Sequence, residues 1–100
     1  MKIDAITINE RDNVSTALRD IRTGETVIVG IAEKTKKLLL TNDIPYGHKF
    51  AIKDISKGEN ILKYGEIIGR ATQEIALGAH AHIQNIESLR GRGDLEPREE

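Results

Sequence analysis

The sequence predicts a small, mostly β domain with at most one or two short helices. Three observations predict it. Apolar segments such as Val27-Ile28-Val29 are β-branched and are bounded by glycine and polar breaks. One short pattern recurs, as Asp20-Ile21-Arg22-Thr23-Gly24-Glu25, as Asp54-Ile55-Ser56-Lys57-Gly58-Glu59 and, more loosely, as Glu74-Ile75-Ala76-Leu77-Gly78-Ala79. Each copy reads as a tight strand reversal in which isoleucine enters the core and glycine supplies a positive φ. Finally, Tyr46, Phe50 and Tyr64 are the only aromatic residues in 100, so isoleucine, leucine and valine must fill the interior. A chain of this length buries roughly 60–65% of the surface it exposes when unfolded. Ile21, Ile55 and Ile75 are therefore expected to be buried, and the uneven spacing of the copies excludes a solenoid.

Taken in order, Ile3, Ile6 and Ile8 among polar neighbours predict a short strand. Asn9–Asn13 is polar and turn-like. Val14–Ile21 fits either two helical turns capped by Asn13 or a strand. Glu25–Ile31 is a strand, Ala32–Lys37 is charged and exposed, and Leu38–Leu40 resumes the apolar pattern. Ile44-Pro45-Tyr46-Gly47 is a turn, with φ fixed at Pro45. Phe50 and Ile52 then alternate with polar residues, and Lys63-Tyr64-Gly65-Glu66 is a further turn. Residues 1–87 are expected to form the domain. Residues 88–100 are too polar to bury themselves and read as a mobile tail. The Arg92-Gly93-Asp94 tripeptide in that tail reads as coincidence.

Composition removes several function classes. The net charge is −1, so nothing steers the chain toward nucleic acid or an anionic membrane. Scarce aromatics also argue against base stacking. The absence of cysteine excludes disulfides, thiolate catalysis and cysteine-ligated metal. No secretory leader is apparent and no apolar run approaches the ~20 residues of a membrane span, which suits the cytoplasm. There is no phosphate-binding glycine loop, no nucleophile elbow and no His-Glu-x-x-His.

What remains is a set of polar candidates. His48 follows a Pro-x-Gly turn, where an imidazole can move a proton or bind a metal near neutral pH; a surface histidine on a hairpin is the plainer reading. His80 and His82 are spaced to share one face of a strand and could share a metal, but two donors do not complete a site. Lys49, Lys63 and Arg70, each near a glycine, are candidates for anion contact, although each taken singly is more simply a solvated charge.

Four strings carry a resemblance. Asn13-Val-Ser-Thr-Ala-Leu-Arg-Asp-Ile21, Ile44-Pro-Tyr-Gly-His-Lys49, Lys63-Tyr-Gly-Glu-Ile-Ile-Gly-Arg-Ala71 and His82-Ile-Gln-Asn85 occur in the order found in one family. The chain resembles the SAF domain of altronate and galactarate dehydratases over most of its length. The resemblance implies a β-clip fold and a divalent-metal-dependent lyase, of iron or manganese type. Such a lyase removes water from a hexonate or hexarate to give a 2-keto-3-deoxy acid. It also implies a separate large catalytic subunit as partner, toward which Ser88–Asp94 resembles the junction. On this reading His48 is catalytic, Lys49, Lys63, Arg70 and Asn85 meet the substrate, and His82 is a candidate metal donor without a complete site in this chain. One departure stands out: the family often reads His-x-His-Asn where this chain has His82-Ile83-Gln84-Asn85, so glutamine replaces one histidine. The small subunit of a sulfolactate sulfo-lyase and a non-catalytic sugar-acid-binding module are the competing readings.

Overall fold

A computed structural model describes residues 2–88; of the tail expected over residues 88–100 only Ser88 is among them, where it ends a strand, and the rest lies outside the described residues. The described residues contain nine strands and no helix. They are β1 (Ala5–Thr7), β2 (Val14–Ala17), β3 (Thr26–Ile31), β4 (Lys34–Leu39), β5 (Lys49–Ala51), β6 (Asn60–Lys63), β7 (Glu66–Ala71), β8 (His80–Ala81) and β9 (Ile86–Ser88). Six form one sheet in the order β4-β3-β1-β2-β5-β8, and β6-β7-β9 form a second. All pairings are antiparallel except β1 with β3. No described helix is long and apolar enough to cross a membrane.

Where the sequence left helix or strand open after Asn13, the structure has a strand. Asn13 caps no helix. Its side-chain oxygen accepts from Leu62 N–H at 2.8 Å and its amide donates to the Asn60 carbonyl at 2.9 Å, tying β2 to the second sheet. Buried Asp12 beside it accepts the Tyr64 and Gly65 N–H groups, each at 2.8 Å. Those two residues form the β6–β7 turn and both have positive φ, which orients their amides for one carboxylate. In β1 the buried positions are Ala5 and Thr7, whereas Ile8 is exposed, so the strand is in the opposite phase to its isoleucines.

The recurring corner is the organising device, and there are four copies. Asp43-Ile44-Pro45-Tyr46-Gly47 is the fourth, which Pro45 disguised as an ordinary turn. Gly24, Gly47, Gly58 and Gly78 all have φ between 83° and 90°. The corners face each other in two pairs. Ile21 and Ile44 exchange backbone hydrogen bonds at 2.9 and 2.8 Å, and Ile55 and Ile75 do so at 2.8 Å both ways. All four isoleucines are at most 2% exposed, as the sequence predicted for three of them. They anchor two apolar clusters, one with Ile21, Leu40, Ile44 and Phe50, the other with Val14, Ile55, Ile61 and Ile75.

Candidate functional site

Each corner pair releases a strand, and the two released strands meet. Gly47 leads through His48 into β5, and Gly78 leads through Ala79 into β8. β5 and β8 pair with Lys49 opposite Ala81 and Phe50 opposite His80. Continued by one residue, that register sets His48 against His82, and their rings stack with centroids 4.1 Å apart. His80 joins them: its Nε2 lies 3.0 Å from His48 Nδ1. One ring nitrogen from each of His48, His80 and His82 falls within 4.8 Å of the others, and all three residues are half-buried. The sequence had placed His80 and His82 together on a strand; β8 ends at Ala81, and His82 begins the turn that follows.

The surroundings fix this cluster. Asn85 is buried, accepts from His82 N–H at 2.9 Å and donates to the His80 carbonyl at 2.9 Å, so its amide spans the turn that carries both histidines. Asn42 accepts the His80 N–H at 2.9 Å. The Gln84 carboxamide lies 3.0 Å from His80 Nδ1. Burial, then the neighbouring His48, His82 and Lys49, depress the His80 pKa; burial, then His48 and Lys49, depress that of His82. Both rings are therefore held toward the neutral form, the form with a lone pair to give. His82 Nδ1 is buried and has no hydrogen-bond partner among the described residues. Three converging imidazoles, one with an orphaned nitrogen, suit a divalent transition ion such as the resemblance implies.

Beside the cluster is a pocket of about 110 Å³ lined by Lys49, Ile68, His82, Ile83, Ile86 and Ser88. Burial, and then the like charge of Lys63, lower the Lys49 pKa. The structure thus groups His48, Lys49, His80 and His82, with Lys63 close enough to act on Lys49. Lys63 Nζ itself lies 5.0 Å from the Tyr64 ring centroid. Arg70 is exposed on β7, opposite Asn60 and Glu87, and lines no part of this pocket. His80 was undervalued in the sequence because its partner His48 lies 32 residues away, across a strand pair that only the fourth corner reveals.

The chain matches the model of the altronate/galactarate dehydratase SAF domain over residues 3–89. It belongs to that family. It is 44% identical over 83 residues to an altronate dehydratase of Escherichia coli K12, covering 83% of this chain and 16% of the relative. A Bacillus subtilis altronate dehydratase is 40% identical over 84 residues, with the same two coverages. Subunit alpha of a (2R)-sulfolactate sulfo-lyase from Chromohalobacter salexigens is 38% identical over 58 residues, which is 58% of this chain and 62% of that protein. This SAF domain therefore spans about a sixth of the dehydratases it matches.

Proposed function

We propose that this SAF domain is the small component of a sugar-acid dehydratase, acting with a large catalytic subunit on a hexonate or hexarate. The observation that carries the reading is the convergence of His48, His80 and His82 beside half-buried Lys49. Eliminating water next to a carboxylate builds negative charge on that carboxylate and requires a proton for the departing hydroxyl. Lys49, with the like charge of Lys63 close by, supplies a cation for the carboxylate. The histidine cluster faces the reacting carbons, with His48 in direct contact with the chemistry. A divalent metal, held by the histidines, would polarise the substrate oxygens. Asn85 shapes the turn beneath the substrate. The larger subunit closes over this face and excludes water.

The test is reconstitution. The chain alone is expected to show no dehydratase activity, and mixing with the large subunit should give turnover of an aldonate or aldarate. His48→Ala should leave association intact and lower kcat roughly 10²–10⁴-fold. Robust turnover by the chain alone, or wild-type rates for His48→Ala, overturns the reading. A second reading, the small subunit of a sulfo-lyase, is favoured by one observation: the relative named as a sulfo-lyase subunit is itself a short chain. Product assay of the same complex, sulfite against keto-deoxy acid, separates the two.

A further inference from the structure

We infer that His48, His80 and His82 form a complete three-imidazole site for a divalent first-row transition ion within this chain alone, with Gln84 as the residue that makes His80 a donor. The inference rests on the dehydratase reading only for its purpose; the site itself is argued from geometry. Where the sequence suggested two donors and a deficit, the β5–β8 register brings a third from the other corner pair. The three ring nitrogens sit within 4.8 Å of one another, and the rings stack at interplanar angles of 17° to 29°, so an ion bound at ~2.0–2.1 Å would require the imidazoles to turn about their side-chain bonds until their in-plane lone pairs converge. Three protein ligands leave at least one coordination position for a substrate oxygen, as in catalytic metal sites. A purely nitrogen donor set disfavours magnesium and calcium, which prefer oxygen.

The orientation of Gln84 is coupled to the tautomer of His80. A ligating histidine commonly donates its other ring N–H to an outer partner, and that bond fixes which nitrogen is bare. His80 Nε2 points at His48 Nδ1, and His80 Nδ1 points at the Gln84 carboxamide. A carboxamide can offer either end. With its NH₂ toward Nδ1, the proton sits on Nε2 and is shared with His48. With its oxygen toward Nδ1, the proton sits there and Nε2 is free to bind. Gln84 therefore serves as an outer partner to the site, without itself carrying a proton.

The test is titration of the 100-residue chain with Co(II), read by visible absorption, and with Zn(II), read by calorimetry. The expected result is saturable one-to-one binding that excess Mg(II) does not displace. His48→Ala, His80→Ala and His82→Ala should each weaken binding at least 10-fold and change the Co(II) spectrum. Gln84→Leu should weaken it about 10–100-fold with the metal-free melting temperature unchanged. Gln84→Glu, an obligate acceptor, should restore it. Absence of saturable binding, or binding indifferent to all three histidines, overturns the site. Wild-type affinity in Gln84→Leu overturns the role of Gln84. The outcomes separate from those of the functional reading: metal bound without turnover in the reconstituted complex sinks the dehydratase and leaves the site, and turnover without metal bound by this chain does the reverse.

Discussion

The two corner pairs are built on one plan and finished differently. In both, facing isoleucines exchange backbone hydrogen bonds, and the glycine after the first isoleucine donates to a hairpin carbonyl: Gly24 to Leu40 at 2.9 Å, Gly58 to Ala71 at 2.8 Å. The closing glycines also match, Gly47 donating to the Ala17 carbonyl and Gly78 to that of Ala51. The acids differ. In the first pair they cap reciprocally: Asp20 accepts from Tyr46 N–H, and Asp43 accepts from both the N–H and the hydroxyl of Thr23. In the second, Asp54 accepts from Leu77 N–H, but Glu74 makes no such bond among the described residues. The isoleucine bridges are nonetheless equally short. The bridge and the positive-φ glycine define the corner, and the acid is an adjustable addition to it.

The comparison is most sharply broken at the closing glycines. Gly47 and Gly78 have nearly the same φ, so alanine is strained by about 1–2 kcal/mol at either. They differ in room. A methyl at Gly47 meets nothing within 4 Å, whereas at Gly78 it runs into the Leu39 carbonyl, which belongs to the other half of the chain. Overpacking adds about 1–3 kcal/mol. Gly78→Ala should therefore cost roughly 2–5 kcal/mol in urea unfolding and Gly47→Ala only the smaller part. Equal costs would show that the two halves do not depend on this close approach.

The next effect tests the sameness of the plan. Ile44→Ala and Ile55→Ala, taken from opposite pairs, should each cost about 2–4 kcal/mol, because both side chains are fully enclosed. A difference of more than about 1.5 kcal/mol between them would mean that one pair carries the fold and the other decorates it.

The corner was legible because its residues are local: an acid, an isoleucine and a glycine within five positions specify a turn wherever they fall. The copy at Asp43 was missed because Pro45 supplies its own explanation for a turn and hides the shared pattern. The mostly β class followed from the same local signals. The site was not local. His48 and His82 meet because two corner pairs deliver two strands in a register that no short window contains. Strand phase in β1 also escaped, because alanine and threonine take the buried face beside a parallel neighbour that only the tertiary fold provides. Asn13 looked like a helix cap for the same reason: its partners, Asn60 and Leu62, are far along the chain.

The smallest expected effect concerns acid. Three carboxylates with depressed pKa values belong to the first half of the chain. Asp4 is lowered chiefly by the Ile28 N–H, with Arg19 assisting; Glu25 by Arg19 and then the Arg22 N–H; Asp43 by the N–H and hydroxyl of Thr23. A carboxylate bound more weakly to its proton in the folded chain than in the unfolded one adds stability at pH values above its unfolded pKa. That stability fades as the pH falls through the lower, folded value. The ordinary values are 4.5 for Glu25 and 3.8 for Asp4 and Asp43, so the loss begins near pH 4.5 and deepens below it. It falls on the corners these groups hold. The bridged amides of Ile21 and Ile44 should therefore lose hydrogen-exchange protection at higher pH than those of Ile55 and Ile75, after correction for intrinsic rates. Asp43→Ala should remove part of that difference, because the two Thr23 bonds are gone at every pH. Glu74→Ala, in the equivalent place, should leave the order unchanged and alter stability by no more than about 0.5 kcal/mol. If all four amides lose protection together in the wild-type chain, the two pairs open as one cooperative unit, and the acids of the first pair do not set its local stability.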